Sequence, residues 1–169
     1  MMSSSNETLL ATIEAEREIY RTFLRFFRLV DTRQFERLGE ECFTPDAVIE
    51  YHLPAPHRFN GRAEFTAYML DGPRRRQQMV AHVLGQIAIE WEAGRPSVSA
   101  YATVWHWYQA NASQGDLRPA DWTTIGLVED DFEQFEGRWL IARRTVSPIT
   151  GLVAAGSPPL PTAARPAAE

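Results

Sequence analysis

The sequence contains very little cysteine and no excess of positive charge. Cys42 is its only cysteine, so the chain can form no internal disulfide and has no multi-cysteine metal site. Its 17 Lys and Arg residues are outnumbered by 22 Asp and Glu residues, for a formal net charge of −5. A protein that binds nucleic acid generally presents a basic surface to the phosphates. We therefore expect no nucleic-acid partner.

Long apolar runs are missing as well. No stretch approaches the roughly 18 apolar residues that a membrane-spanning helix needs. The first ten residues, MMSSSNETLL, lack the basic end and the apolar run of a secretory signal. We expect a cytoplasmic protein with no membrane partner.

Apolar and aromatic residues, by contrast, are plentiful, at 44% and 11% of the chain. A chain of 169 residues fits one domain, and folding at this size buries roughly 70% of the surface that the unfolded chain exposes. That is enough for a core with a cavity inside it.

The first half of the chain has helical periodicity. Asp31, with Gln34 three residues later, is typical of a capping box at the start of a short second helix through FERLGEECF. RAEFTAYML, after a loop that contains Pro and His, predicts a third helix. The first helix is predicted from Glu7 to about Asp31 by an apolar stripe: Leu10, Ile13, Tyr20, Phe23, Phe27 and Val30.

The second half of the chain has the pattern of strands. A short strand at 47–51 is followed later by four long β runs, at 79–91, 97–110, 122–135 and 138–147. EAGRP and FEGR are short enough to close antiparallel hairpins. Helices followed by antiparallel strands predict an α+β fold in which the helices cover one face of a curved sheet.

The ends of the chain differ in composition from the middle. We predict a flexible N-terminus at residues 1–6, a single domain at 7–150 and a Pro- and Ala-rich C-terminal tail at 151–169.

Two long β runs each contain a histidine. His82 lies in MVAHVLGQIAIEW and His106 in YATVWHWYQAN, where a plain core strand would carry Val or Ile. Alternation along the second run places His106 on the same face as Val104 and Tyr108, and the tryptophans on the other face. If the smaller residues line a cavity, His106 points into it. In the opposite register it lies on the surface.

Four stretches carry a resemblance to a known family: LVDTRQFERLGEECFTPDAVIEY, FNGRAEF, AHVLGQIAIEW and FEQFEGRWLIARRTV. Over residues 8–150 the chain resembles the SnoaL-like branch of the nuclear transport factor two-like superfamily, with the scytalone dehydratases as the nearest pattern. The resemblance implies a cone-shaped sheet packed on about three N-terminal helices, a half-open α+β barrel. It also implies a general-base pair at Asp31 and His82, a further histidine at His106 and a pocket tyrosine at Tyr51.

The sequence departs from that pattern at several positions. A second pocket tyrosine of the dehydratases falls near Val30, and two polar residues of the third long strand fall near Gly126 and Val128. A lysine of the related dehydrochlorinase falls near Phe26. These differences concern the substrate and leave the base pair intact.

An Asp–His pair has a chemistry that does not depend on any family. A carboxylate within hydrogen-bond reach of a buried imidazole fixes its tautomer and leaves the other ring nitrogen free to take a proton from carbon. The alternatives are that Asp31 is a helix cap and that His82 is an ordinary core histidine. Tyr51 could donate a hydrogen bond to a substrate oxygen, or else bond to the backbone.

The remaining candidates concern substrate binding. Arg143 and Arg144 lie on opposite faces of the last strand, so only one can reach a pocket; we take Arg143 as the candidate, with a solvent-facing or dimer-facing role as the alternative for both. The aromatic wall is predicted to include Phe27, Phe59, Tyr108 and Trp122.

Several other polar residues are interpreted as having no catalytic role. The arginines at 74–76 read as a solvated loop, with binding of an anionic substrate as the alternative. Asp130 and Asp131 read as solvated charge. We expect no metal site, because His52 and His57 have no third ligand at a suitable spacing.

Together these observations predict a cofactor-independent lyase that acts on a hydrophobic, aromatic or polycyclic hydroxylated compound. An isomerase or cyclase in the same pocket is the first alternative, and a non-catalytic small subunit or binding domain is the second. Tryptophans on the outer face of the sheet indicate a homodimer or homotrimer.

Overall fold

The computed structural model describes residues 4–52, 56–115 and 117–154. Helix α1 (Ser4–Asp31) is followed by a 3-10 turn (Phe35–Arg37) and the short helix α2 (Leu38–Cys42). Helices α3 (Arg62–Asp71) and α4 (Pro73–Arg76) lie between the short and the long strands. The strands are β1 (Phe43–Tyr51), β2 (His57–Asn60), β3 (Gln77–Glu92), β4 (Arg95–Tyr108), β5 (Trp122–Phe135) and β6 (Arg138–Val153), and a 3-10 helix (Gln109–Gln114) follows β4.

The six strands form one curved, unclosed sheet in the order β2-β1-β6-β5-β4-β3. The four long strands pair antiparallel with their neighbours, as predicted, and the pairs β3–β4 and β5–β6 are the two predicted hairpins. The pair β1 and β6 is parallel, with Ile49 opposite Arg144, so the sheet is mixed. This pairing could not be predicted from local pattern, because its two strands are separated by most of the chain. The α+β class and the helix-covered curved sheet are confirmed.

Helix α1 buries only the second half of its predicted stripe. Ile19, Phe23 and Phe27 are buried in the core, together with Val30. The apolar residues of the first turns and Tyr20 are exposed instead: Leu9, Leu10, Ile13 and Tyr20. The periodicity located the helix, but it could not show how far the helix extends past the sheet.

Strand β6 continues past the proline at which the sequence suggested an end. Pro148 lies opposite Gly126, at a register shift that leaves Ile149 as the extra residue before Thr150. A bulge of this kind is one of the few places where a strand tolerates proline. The strand therefore reaches Val153, and residues 155–169 of the predicted tail lie outside the described residues.

Candidate active site

Asp31 and His82 are in direct contact. His82 Nδ1 lies 2.5 Å from Asp31 Oδ1, and the His82 backbone N–H donates to Asp31 Oδ2 at 3.2 Å. The His82 side chain is 11% exposed and the Asp31 side chain is 30% exposed. Since the carboxylate engages Nδ1, the tautomer with a proton on Nδ1 is favoured and Nε2 is left as the basic nitrogen. The His82 ring lines the cavity described below and packs 5.1 Å from the Phe27 ring.

Asp31 does not act as a helix cap. The 3-10 turn that follows has Gln34 at its N-cap position, without a side-chain cap hydrogen bond. Both carboxylate oxygens of Asp31 are occupied by His82 instead. The capping-box interpretation of this segment was therefore wrong.

The turn after Asp31 is a helix-terminating motif built on Arg33. Arg33 has a φ of 60°, in the left-handed region that usually requires glycine. Its N–H donates to the Val30 carbonyl, and the N–H of Gln34 reaches back to the Leu29 carbonyl. This pair of bonds is a Schellman motif, and it fixes where α1 ends.

The Arg33 side chain ties the end of α1 to the segment before His82. Its guanidinium donates to the carbonyl oxygens of Arg74 at 2.6 Å, Gln77 at 2.5 Å and Gln78 at 3.2 Å. The end of the helix that carries Asp31 is thereby linked to the start of the strand that carries His82.

His106 faces the interior, which is the inward one of the two registers that the alternation left open. Its ring stacks on Trp122, with centroids 4.6 Å apart, and its Nδ1 lies 3.0 Å from Gln77 Nε2. Burial, with smaller effects from His82 and Arg76, lowers the pKa of His106 to about 3. The ring is therefore neutral near pH 7. As the Gln77 amide nitrogen can only donate, Nδ1 accepts and the ring proton lies on Nε2.

A partly open, mostly apolar cavity of about 150 Å³ joins these groups. A cavity of this volume is comparable to an engineered pocket of roughly 150 Å³ that binds benzene. All of the aromatic residues predicted for the wall line it: Phe27, Tyr51, Phe59, Tyr108 and Trp122. Val30, Gly126 and Val128 also line it, so the departures from the dehydratase pattern leave that part of the wall apolar.

The tyrosines keep their protons in this environment. Burial raises the pKa of Tyr51, and the positive charge of Arg144 opposes the rise. Burial likewise raises the pKa of Tyr108. Both hydroxyls are therefore hydrogen-bond donors at neutral pH.

The arginine that enters the cavity is Arg144, not Arg143. Arg143 is exposed on the opposite face of β6. Arg144 is fully buried and pairs with Asp130 through Nε–Oδ1 at 2.7 Å and Nη2–Oδ2 at 2.5 Å. Its guanidinium carbon lies 3.7 Å above the Phe26 ring.

The interpretation of Asp130 as solvated charge was wrong, since its side chain is fully buried against Arg144. The sequence did contain a signal for this pair. Two adjacent acids on β5 lie opposite two adjacent arginines on β6, and strand alternation requires one pair to face inward. Asp131, opposite Arg143, is the exposed acid.

The other polar candidates are divided between the cavity and the surface. His57 lines the cavity and packs 5.8 Å from the Phe59 ring, whereas His52 is exposed. Arg76 lines the cavity too, so the solvated-loop interpretation fails for this one of the three arginines. Within the described part of the chain, no three His, Cys, Asp or Glu residues are grouped as a metal site would require.

The outer face of β4 is less exposed than expected. Trp105 and Trp107 are half-buried, and Trp107 Nε1 donates to the Arg118 carbonyl at 3.0 Å. On this face of β4 it is Tyr101 that is exposed, and the other exposed apolar residues of the sheet lie on β3 and β6: Val83, Trp91, Ile149, Leu152 and Val153.

Comparisons with known proteins identify the family. The model of the SnoaL-like domain matches residues 11–145. No curated protein matches the sequence. None of the described helices is long and apolar enough to cross a membrane.

Several solved structures share the fold. A Novosphingobium aromaticivorans protein named after scytalone dehydratase is 19% identical, with a TM-score of 0.69 over 88% of this chain and 91% of its own. A hexachlorocyclohexane dehydrochlorinase from Novosphingobium barchaimii is 14% identical, with a TM-score of 0.66 over 93% of this chain and 99% of its own. ActVI-ORFA of Streptomyces coelicolor is 19% identical, with a TM-score of 0.62 over 79% of this chain and 96% of its own.

At these identities the structures show a common fold and no more. The family match covers most of the chain and agrees with the cone-shaped sheet and the helices that cover it. The chain belongs to the SnoaL-like domain family, within the nuclear transport factor two-like superfamily.

Proposed function

We propose that the protein is a cofactor-independent lyase that eliminates a small group, most simply water, from a hydrophobic hydroxylated compound. The observation that carries this proposal is the contact between Asp31 and His82 at the wall of a mostly apolar cavity. The names of two similar structures, a scytalone dehydratase and a hexachlorocyclohexane dehydrochlorinase, both denote eliminations.

In the proposed reaction, His82 is the general base. Nε2 takes a proton from a carbon next to an activating carbonyl or aromatic ring, and Asp31 stabilises the imidazolium that forms. The electrons of the broken C–H bond form the new C=C bond while the C–O bond to the leaving group breaks. A positioned base of this kind supplies a rate factor of about 10²–10⁴.

His106 and Tyr51 assist as hydrogen-bond donors. The pKa of His106, about 3, means that it carries no extra proton at neutral pH and cannot be the acid. Its Nε2–H and the Tyr51 hydroxyl stabilise charge on the substrate oxygens. The proton that leaves with the hydroxyl group comes from the His82 imidazolium, which restores the base and releases water.

An isomerase or cyclase is the second candidate, and the neutral state of His106 favours it. Since no Asp or Glu of the described residues lines the cavity to act as the acid, the His82 imidazolium can return its proton to a different carbon of the same substrate. No fragment is then lost, and the product has the mass of the substrate.

The test is a panel of hydroxylated aromatic compounds, incubated with the wild type, His82→Ala and a control, His52→Ala. His52 is exposed and lies outside the cavity, so its loss should leave turnover unchanged. Mass spectrometry distinguishes elimination, which loses water, from isomerisation. Equal turnover by the wild type and His82→Ala would overturn the mechanism, and ligand binding without turnover would indicate a non-catalytic binding domain.

We also propose that the protein is a homodimer or homotrimer in the cytoplasm. The exposed apolar side chains of Val83, Tyr101 and Leu152 on the sheet support a self-association surface. Light scattering of the purified protein would measure the mass directly, and a monomer mass at micromolar concentration would contradict the proposal.

A further inference from the structure

The cavity wall carries more positive than negative charge. Arg76 and Arg144 both line it, and no Asp or Glu side chain is among its lining residues in the described part of the chain. Arg144 is neutralised by Asp130 behind it, and the His82 imidazole is matched by Asp31. Among the described residues, Arg76 is the cation at the cavity for which no acidic partner is found.

Arg76 differs from the two arginines that precede it. Arg74 and Arg75 are exposed and pair with acids, Arg74 with Glu36 at 3.4 Å and Arg75 with Asp71 at 3.3 Å. The Arg76 side chain is half-buried, and its Nε is shielded from solvent without a hydrogen-bond partner. In the described residues it makes no ion pair. A shielded N–H donor without a partner is costly, and that cost is recovered when an anion accepts its hydrogen bond.

Arg76 lies next to polar residues of the cavity wall. It ends α4, directly before Gln77, whose amide bonds to His106. Gln77 also lies opposite Tyr108 in the pairing of β3 with β4, and Arg76, His106 and Tyr108 all line the cavity. Arg76 therefore belongs to the part of the cavity wall that carries these two donors, and its charge contributes to the lowered pKa of His106.

We infer that the substrate carries a carboxylate on an aromatic ring, and that Arg76 binds this carboxylate. The guanidinium offers a planar pair of N–H donors that matches the two oxygens of a carboxylate, and the apolar wall takes the ring. That the bound compound is a substrate rests on the proposed function, whereas the anion-binding site itself does not depend on catalysis. Arg76 then determines specificity, and His82 performs the chemistry.

The test is equilibrium binding by calorimetry near pH 7, without turnover. The probes are benzoate and 2-naphthoate, each compared with its neutral amide, benzamide and 2-naphthamide. The variants are Arg76→Gln, which removes the charge, and Arg76→Lys, which keeps the charge and loses the planar pair of N–H donors. Arg75→Gln is the matched control, since it removes the neighbouring exposed arginine.

We expect the wild type to bind the carboxylates at least tenfold more tightly than the amides. Arg76→Gln should weaken carboxylate binding about 10- to 100-fold and leave amide binding within about twofold. Arg76→Lys should give an intermediate affinity, and Arg75→Gln should match the wild type. Circular dichroism before titration checks that each variant is folded.

Three results would overturn the inference: no carboxylate binding by the wild type, equal affinity for acid and amide, or an equal loss in Arg75→Gln and Arg76→Gln. The same titration with His82→Ala separates the two proposals, since carboxylate binding should survive the loss of the base. If the wild type binds carboxylates selectively but converts none of the compounds, the lyase is refuted and the anion site stands. Turnover of neutral compounds alone, without carboxylate binding, would refute the anion site and leave the lyase.

Discussion

Replacement of Asp31 by Asn tests the catalytic geometry most directly. Asp31 presents two acceptor oxygens, and His82 uses both, one through Nδ1 and one through its backbone N–H. An asparagine of the same shape has one oxygen and one NH₂ group, so it can satisfy only one of these two donors. The variant must therefore lose one of the two interactions.

Each choice has a measurable cost. If the amide oxygen stays on the backbone N–H, the NH₂ group faces Nδ1, the ring proton moves to Nε2 and the base is disabled. The expected fall in kcat is about 10²–10⁴, which corresponds to roughly 3–5 kcal/mol in the activation free energy. If the oxygen stays on Nδ1, the backbone N–H of His82 loses its acceptor, and the free energy of unfolding falls by about 1–3 kcal/mol.

Two assays separate these outcomes. Nitrogen-15 chemical shifts of the His82 ring report which nitrogen carries the proton and need no substrate. Urea unfolding reports stability, and Asp46→Asn, at an exposed position of β1, is the control. An Asp31→Asn variant with the wild-type tautomer, stability and turnover would refute the reasoning.

Two further predictions concern the buried charges. Arg144→Met leaves Asp130 buried without its partner and should lower the free energy of unfolding in urea by about 3–5 kcal/mol, whereas Arg143→Met should change it by no more than about 0.5 kcal/mol. Equal effects of the two would contradict the buried ion pair. The folded-state pKa of His106, about 3, is below its unfolded value of about 6.5, so the unfolded chain binds the extra proton between these pH values. Stability should therefore be unaffected by this group above pH 7 and fall by a few kcal/mol as the pH drops from about 6.5 towards 3, and His106→Phe should remove this part of the pH dependence. An unchanged acid profile in His106→Phe would show that the histidine is not the titrating group.

Local pattern placed His106 and Tyr108 on one face of their strand, together with Val104. It left open whether that face turns inward, and the structure shows that both residues line the cavity. The contact between Asp31 and His82 could not be obtained in this way. They are separated by 51 positions, and only the resemblance to a family brought them together.

What the sequence could not predict has a common physical cause. The parallel pairing of β1 with β6 depends on a segment far away in the sequence. The choice of Asp130 and Arg144 as the inward pair, and the bulge at Pro148, depend on the register between β5 and β6. Charged residues and prolines are usually signs of the surface or of a strand end. Here each is accommodated by a partner on another strand, which periodicity within one segment cannot reveal.

The junction held by Arg33 shows how much of the site depends on one such contact. A helix C-terminus with a φ of 60° usually favours glycine, so helix-capping rules alone predict that Arg33→Gly stabilises the protein, by relieving about 1 kcal/mol of backbone strain. The structure predicts the opposite. The Arg33 guanidinium makes three hydrogen bonds to carbonyls at the α4–β3 junction, each contributing about 1 kcal/mol, and that junction carries Arg76 and Gln77 and leads into His82. Arg33→Gly should therefore lower the free energy of unfolding by about 1–2 kcal/mol and loosen the contact between Asp31 and His82, seen as broadened ring signals of His82. A more stable variant with unchanged ring signals would show that the end of α1 positions Asp31 without help from the Arg33 side chain.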